Sequence, residues 1–289
     1  MTALALDPAT IKRRRARREF ALAAGIWLFL TVMTVISAFP FVWTFLTSIK
    51  EPVDAFALPP VWSFDPTIAH YTELWIERGF TRYFANSMIV TIGVLVISLT
   101  IGCLAGYALA RYDGPIGFWL LILALVFRAL PRMAILLPFY QFSRLTGLYD
   151  THVLLVLVLV SINQPFTIWM MRSLFMTIPK DLEEAAMVDG CSRLQAFRRV
   201  IVPVMWPGVV TTGLFTFLLA YNEFLMPLIL TATRAETMPV AIAQFGAEDI
   251  RFWSLSAAGA VSIALPVVIL ILVFQRQLVS GLTQGAVKG

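Results

Sequence analysis

Glu183-Glu184-Ala185-Ala186-Met187-Val188-Asp189-Gly190, followed by Pro203 and Pro207, lies between two long apolar segments and holds much of the charge in the second half of the chain. A charged helix–turn–helix between membrane spans requires a partner in water, because charge is expensive in hydrocarbon. The flanks support that setting. Hydrophobic residues make up 59% of the 289 positions and charged residues 13%, a balance that points to an integral membrane protein. A crossing helix needs about 20 mostly apolar residues. Uncharged runs of that size are Phe20–Ile49, Tyr83–Ala110, Thr151–Met171, Val200–Asn222 and Phe252–Gln275. A sixth, Gly114–Ser143, is interrupted by Arg128 and Arg132. The expected fold is therefore all-α and polytopic, with six transmembrane helices near 21–46, 85–109, 117–138, 152–173, 207–230 and 253–275.

Lys12, Arg13, Arg14, Arg15, Arg17 and Arg18 precede the first span and place the N-terminus in the cytoplasm by the positive-inside rule. The run that follows is too long for a cleaved signal peptide. Residues 1–20 read as a basic, mobile cytoplasmic tail, and residues 21–289 as one membrane domain with an inside loop over 175–207. With six spans the C-terminus is inside too. The inside segments then gather Arg111, Arg172, Lys180, Arg193, Arg198, Arg199, Arg276 and Lys288. The outside keeps Lys50, Arg78, Arg82, Arg144, Arg234 and Arg251. The net charge of +5 thus reflects orientation, and nucleic-acid binding is a poor reading. Cys103 in the second span and Cys191 in the inside loop cannot pair within one chain. Pro52, Pro59, Pro60 and Pro66 break up the long outside segment, in which Tyr71, Leu74, Trp75 and Ile76 suggest a short interfacial helix.

The loop itself predicts two short helices. Asp181 can cap the first, with Glu184 as reciprocal partner. Gly190 suits the left-handed position past its end. Ser192 starts a second capping box with Gln195, and Pro203 turns the chain back to the membrane. Ala185 and Ala186 let a partner surface approach closely, flanked by Glu184 and Asp189.

This loop resembles the coupling loop of ABC importer permeases, which reads E-A-A, three residues, then G, with a later proline at the spacing kept by Gly190 and Pro203. Ile178-Pro179-Lys180-Asp181-Leu182-Glu183-Glu184-Ala185-Ala186 is similar to the loop of the carbohydrate-uptake, maltose-type permeases. So is Tyr221-Asn222-Glu223-Phe224, where that family usually has Trp-Asn-Glu-Phe, and so is the terminal stretch Gly281–Gly289. The likeness is to the shorter of that family's two permease subunits. It implies a type I ABC importer permease fold with cytoplasmic coupling helices between spans four and five. It further implies a second homologous permease, two cytoplasmic ABC ATPase subunits, an extracytoplasmic substrate-binding protein and a sugar substrate. The resemblance makes Glu183, Glu184, Ala185, Ala186, Asp189, Gly190, Ser192 and Pro203 the ATPase-coupling residues. The chain has no G-x-x-x-x-G-K-[ST] loop, so it is expected to bind no cofactor or metal itself and to rely on ATP and Mg held by the partners.

Charged and polar residues at membrane depth are the other candidates. Arg128 and Arg132, four residues apart, are expected on one face of a helix kinked at Pro131. Glu223 is the acidic counterpart. These groups brace the helices, or they line the pathway and meet a hydroxyl-rich or anionic solute. Asn163, Tyr221 and Asn222 are further pathway candidates. Three alternatives compete: an ABC permease for a non-sugar solute, an ion-coupled secondary transporter, and a membrane enzyme. Against the last, His70 and His152 are the only histidines, and no H-E-x-x-H or G-x-S-x-G is present.

Overall fold

The computed structural model describes residues 8–112, 114–248 and 252–284, and they are almost entirely helical. Asp113, Arg251, Lys288 and the terminal Gly285–Gly289 lie outside the described residues, as do residues 1–7. The helices that matter here are α1 (Pro8–Ser48), α2 (Phe80–Arg111), α3 (Pro115–Ala129), α4 (Arg132–Thr146), α5 (His152–Phe175), α6 (Asp181–Val188), α7 (Arg193–Val204), α8 (Trp206–Tyr221), α9 (Leu225–Leu230), α10 (Met238–Glu248) and α11 (Trp253–Gln284). Four of them, α1, α2, α5 and α11, are long and apolar enough to cross a membrane singly. Two bent pairs, α3–α4 and α7–α8, bring the count of crossings to six when each is one span. The expected interfacial helix forms over residues 69–77 and buries Leu74.

Residues 8–20 are helical and continuous with α1. Ala, Arg and Lys are good helix formers, and nothing in 9–20 breaks the helix. One expectation needs correction: the third span is not a kinked helix. Its halves meet at 91° across Leu130-Pro131, where both residues are extended. Proline lacks an N–H and disfavours helical geometry in the residue before it, which ends α3 at Ala129.

The centre of the fold is α2 packed along α5, with α8 against both. Small residues make the approach possible. A Cβ on Gly102 would lie 2.6 Å from Thr167 Cγ2, and one on Gly106 would lie 2.9 Å from the Arg172 backbone nitrogen. The two form a G-x-x-x-G step that lets helix backbones close on each other in lipid. Val90, Val94, Leu154, Leu155, Val158 and Leu159 fill the seam above it. By contrast, α1 is exposed along its spanning residues and packs chiefly on α11, so its apolar surface is left for lipid or another subunit.

The end opposite to residues 176–205 is tied by polar bonds. Asp150 sits in the turn between α4 and α5 at a left-handed φ of 59°, and is buried. Its carboxylate accepts from the backbone N–H groups of Ala232, Thr233, Arg234 and Ala235 at 2.9–3.1 Å. Asn86 of α2 donates to the carbonyls of Arg234 and Glu236, and its own carbonyl meets His152 at 2.7 Å. One carboxylate thus pins the segment before α10 to the bundle. Helix α10, which packs Met238, Ala241 and Phe245 onto Phe80 and Tyr221, has no counterpart in the sequence expectation.

Burial alone would raise the pKa of Asp150, but the four N–H groups outweigh it and hold the value at about 2. A carboxylate held below its unfolded value of about 3.9 adds stability that is fully present above that value and lost as pH falls towards the folded value. Asp150→Asn is expected to lower stability at pH 7 by about 1.5–3 kcal/mol, the worth of charge-assisted bonds. That deficit should shrink between pH 4 and pH 2. Melting of the purified protein across that range checks both parts, and an unchanged midpoint at pH 7 excludes the role.

Candidate coupling loop and membrane cavity

Helix α6 opens on an acidic first turn, Asp181, Glu183 and Glu184, which suits the positive end of the helix dipole. The expected cap at Asp181 does not form. Lys180 is already helical and occupies the cap position, and its carbonyl accepts from the N–H groups of Glu183 and Glu184. At the far end Gly190 takes φ 89°, as expected. Its N–H donates to Met187 and that of Cys191 to Ala186, a Schellman closure that only a residue tolerant of left-handed geometry makes cheaply. Ser192 and Gln195 then form the expected capping box, each side chain accepting from the other's backbone N–H. Pro203 is exposed in the last turn of α7, and the chain turns by 77° into α8 between Val204 and Trp206.

The eight loop residues do not share one surface. Glu184, Ala185, Asp189, Gly190, Ser192 and Pro203 are exposed. Glu183 and Ala186, three residues apart and therefore on one helix face, are buried. Glu183 accepts from Arg111 Nε at 2.9 Å and from the Tyr107 hydroxyl. Arg111 also donates to the carbonyls of Phe175 and Ile178, at 3.3 and 3.4 Å, where α5 ends. The guanidinium therefore ties α2, α5 and α6 together. Behind it, Tyr107, Phe175 and Phe197 form an aromatic group with ring centroids 4.6–6.0 Å apart. Ile201 and Met205 complete this core under α7. Burying Phe197 and Ile201 stabilises by about 1.5–3 kcal/mol each. Leu182, Val188 and Leu194 remain on the outer surface, with Val188 88% exposed.

The second site is a cavity of about 410 Å³ at the bend between α3 and α4. Arg128, Arg132, Ile135, Phe139, Ser161 and Pro165 are among its lining residues. Arg128 ends α3 and Arg132 begins α4, so the two do not share a helix face as expected; the 91° turn brings both to one cavity instead. Arg132 is paired with Glu223, which is buried. Glu223 lies in a second break, between α8 and α9, and accepts from the Met226 N–H. The Arg128 guanidinium lies over the Phe166 ring, 4.9 Å from its centroid.

The other candidates are dispersed. Tyr221 is buried, stacked on Phe217, and its hydroxyl donates to the Ile263 carbonyl, so it packs α8 against α11. Asn222 is exposed and bonds back to Leu218. Asn163 is buried between helices, and its amide has no hydrogen-bond partner among the described residues. Cys103 and Cys191 are both free.

Sequence reasoning missed Arg111 and Tyr107 as site residues. Their i, i+4 spacing at the end of a span next to an acidic loop was the available signal.

Residues 98–284 match the family described as "Binding-protein-dependent transport system inner membrane component". The trehalose transport system permease protein of Mycobacterium tuberculosis is 37% identical over 92% of this chain and 98% of its own length. The diacetylchitobiose uptake system permease protein of Streptomyces coelicolor is 37% identical over 87% of this chain and 92% of its own. A crystal structure of a bacterial ABC transporter involved in import of the acidic polysaccharide alginate shares the fold, with a TM-score of 0.70, 22% identity and coverage of 91% and 97%.

The Arg111–Glu183 contact makes a direct test. Glu183→Gln and Arg111→Ala should each destabilise the 176–205 segment, seen as faster backbone hydrogen exchange there. A double-mutant cycle on unfolding should give a coupling of about 0.5–3 kcal/mol. Additive effects would mean the two side chains do not act as a pair.

Proposed function

The chain belongs to the binding-protein-dependent transport system inner membrane component family, and from that premise we propose that it is the permease subunit of an ATP-driven sugar importer. Its place is the inner membrane, as the family's description states. The choice of a sugar or sugar derivative rests on relatives named for trehalose and diacetylchitobiose that are alike over nearly the whole chain. In this reading the 176–205 end faces the cytoplasm with both termini. Arg111, Arg172, Lys180, Arg193, Arg198 and Arg199 at that end support the orientation. A second homologous permease, two ABC ATPases and an extracytoplasmic binding protein complete the complex. ATP and Mg reside on the ATPases, and this chain holds no cofactor.

The observation that carries the reading is the division of labour on α6. Its inner face, Glu183 and Ala186, is fixed to the bundle, whereas Leu182, Ala185 and Val188 lie exposed on the outer face. Exposed apolar side chains on a helix that is held rigidly from behind are suited to a cleft on a partner. Glu184, Asp189, Gly190 and Ser192 border that face. When the ATPases close on nucleotide, a helix tied to α2 and α5 moves with them as a lever, and the bundle shifts between two arrangements. The Arg128–Arg132 cavity, with Glu223 behind it, is the solute pathway's part in this chain.

Co-purification with the ATPases checks the docking face. Val188→Glu should abolish the co-assembly of the ATPases and their ATP turnover, and leave the melting temperature of the permease unchanged, because Val188 touches little of its own chain. A Val188→Glu complex that still turns over ATP in response to the loaded binding protein would remove α6 as the contact.

A further inference from the structure

The Arg128–Arg132 cavity has an unbalanced charge. Two guanidinium groups line it and one carboxylate answers them. Glu223 is committed to Arg132. Among the described residues Arg128 has no ion pair, and its guanidinium rests on the face of Phe166. Stacking on a ring holds a guanidinium in place but leaves its five N–H donors, which lie in the guanidinium plane, pointing outward. Ser161 and Pro165, on the opposite wall, come from the middle of α5, so the cavity is at membrane mid-depth. An arginine there costs about 2.5–3.5 kcal/mol or more unless something answers its charge. Half-buried Arg132 adds a second cation whose outer edge is also open to the cavity.

The walls are made for a polar guest. Two helix breaks, at Leu130-Pro131 and at Asn222–Phe224, meet through the Arg132–Glu223 pair. Broken backbone at membrane depth is tolerated where it lines a wet cavity or is buried in protein. Pro165 also deprives the Ser161 carbonyl of its usual helical donor. The volume of about 410 Å³ is in the range of small-molecule sites.

We propose that this cavity binds the anionic group of an acidic saccharide, a uronate, sulfonate or phosphate ester, through the free edge of Arg128 with Arg132 alongside. The proposal rests on the sugar-importer reading and narrows it from sugars in general to charged ones. A planar fork fits the two oxygens of such a group, and a ring that stacks under it keeps the fork fixed. Glu223 answers Arg132, so the site carries a net positive charge and suits one anionic end.

The test uses the complete permease–ATPase complex in detergent without the binding protein, so that only the membrane site is sampled. Thermal stabilisation is measured with matched probes: glucose and glucuronate, galactose and galacturonate, trehalose and trehalose 6-phosphate. At least one acidic member should stabilise the complex where its neutral partner does not, less so at high salt. Arg128→Gln should weaken that apparent affinity at least roughly tenfold, the lower end for a charge-assisted bond. Arg128→Lys should lose part of it. Equal responses to both members of every pair, or an unchanged response in Arg128→Gln, overturn the proposal. So does a complex that falls apart in Arg128→Gln and reassembles in Arg128→Lys, since Arg128 would then answer a carboxylate of the second permease. Stabilisation by neutral sugars alone overturns this proposal and leaves the sugar importer standing. A chain that fails to assemble with any ATPase overturns the importer itself.

Discussion

The Arg111–Glu183 pair is the contact on which the arrangement of the 176–205 segment depends. Without it α6 is an eight-residue helix with no side-chain cap at its start, and helices that short are unstable alone in water. With it, one guanidinium holds an acidic side chain of α6, the end of α5 and the end of α2 at one point. The pair is nearly buried, and removing one partner from such a pair costs about 3–5 kcal/mol because the other is left uncompensated. A charge pair at the seam gives direction where the aromatic core gives mass. Phe175, Phe197 and Tyr107 would fill their space in several registers; Glu183 allows only the one in which its carboxylate faces Arg111 and Tyr107.

A similar logic operates at mid-depth. Two helices break where the sequence carries charge, and the breaks are adjacent in space. The Arg132–Glu223 pair lets each break exist. It neutralises one arginine, and Glu223 also accepts from a backbone N–H just past its own break. The remaining charge, Arg128, is then what distinguishes this cavity from an apolar gap between spans. At the opposite end Asp150 does with backbone N–H groups what Glu183 does with side chains. In each region a single carboxylate joins segments distant in sequence, and the apolar seams between them need only fill volume.

The hydropathy of the chain made the helical class, the six apolar segments and the loop between the fourth and fifth of them readable. Capping chemistry is local, so Ser192, Gln195 and Gly190 were readable as well. The cap at Asp181 was not, because Lys180 after Pro179 takes helical geometry first. The 91° bend was underestimated. Proline at 131 announces a break but not its angle, which is set by what α4 packs against. Spacing alone put Arg128 and Arg132 on one face; the break put them in one cavity by a different route. Helix α10 escaped because it is too short for a span and its apolar face is read only against α2 and α11. Arg111 could be counted as a basic residue at the end of a span, but its partner lies 72 positions away. The spacing of Tyr107 and Arg111 marks them as a pair on one helix face, but which of the loop's carboxylates they meet is set only by the fold.

Two facts, a helix α6 fixed from behind and a charged cavity set between broken helices, place constraints on how the chain can move. A lever needs a stiff joint at one end and a yielding one at the other. The joint at Glu183 is stiff, with charge, aromatic packing and two carbonyl contacts around one arginine. The connection from α7 to α8 turns by 77° between two prolines, and Met205 at the turn is buried in the aromatic core, so displacement of α6 and α7 passes directly into α8. α8 ends at Tyr221, whose side chain is bonded to α11, and the break that follows carries Glu223. The packed path from α6 therefore ends at the residue that holds Arg132. Displacement of α8 therefore bears first on the Arg132–Glu223 pair, the contact that joins the two helix breaks.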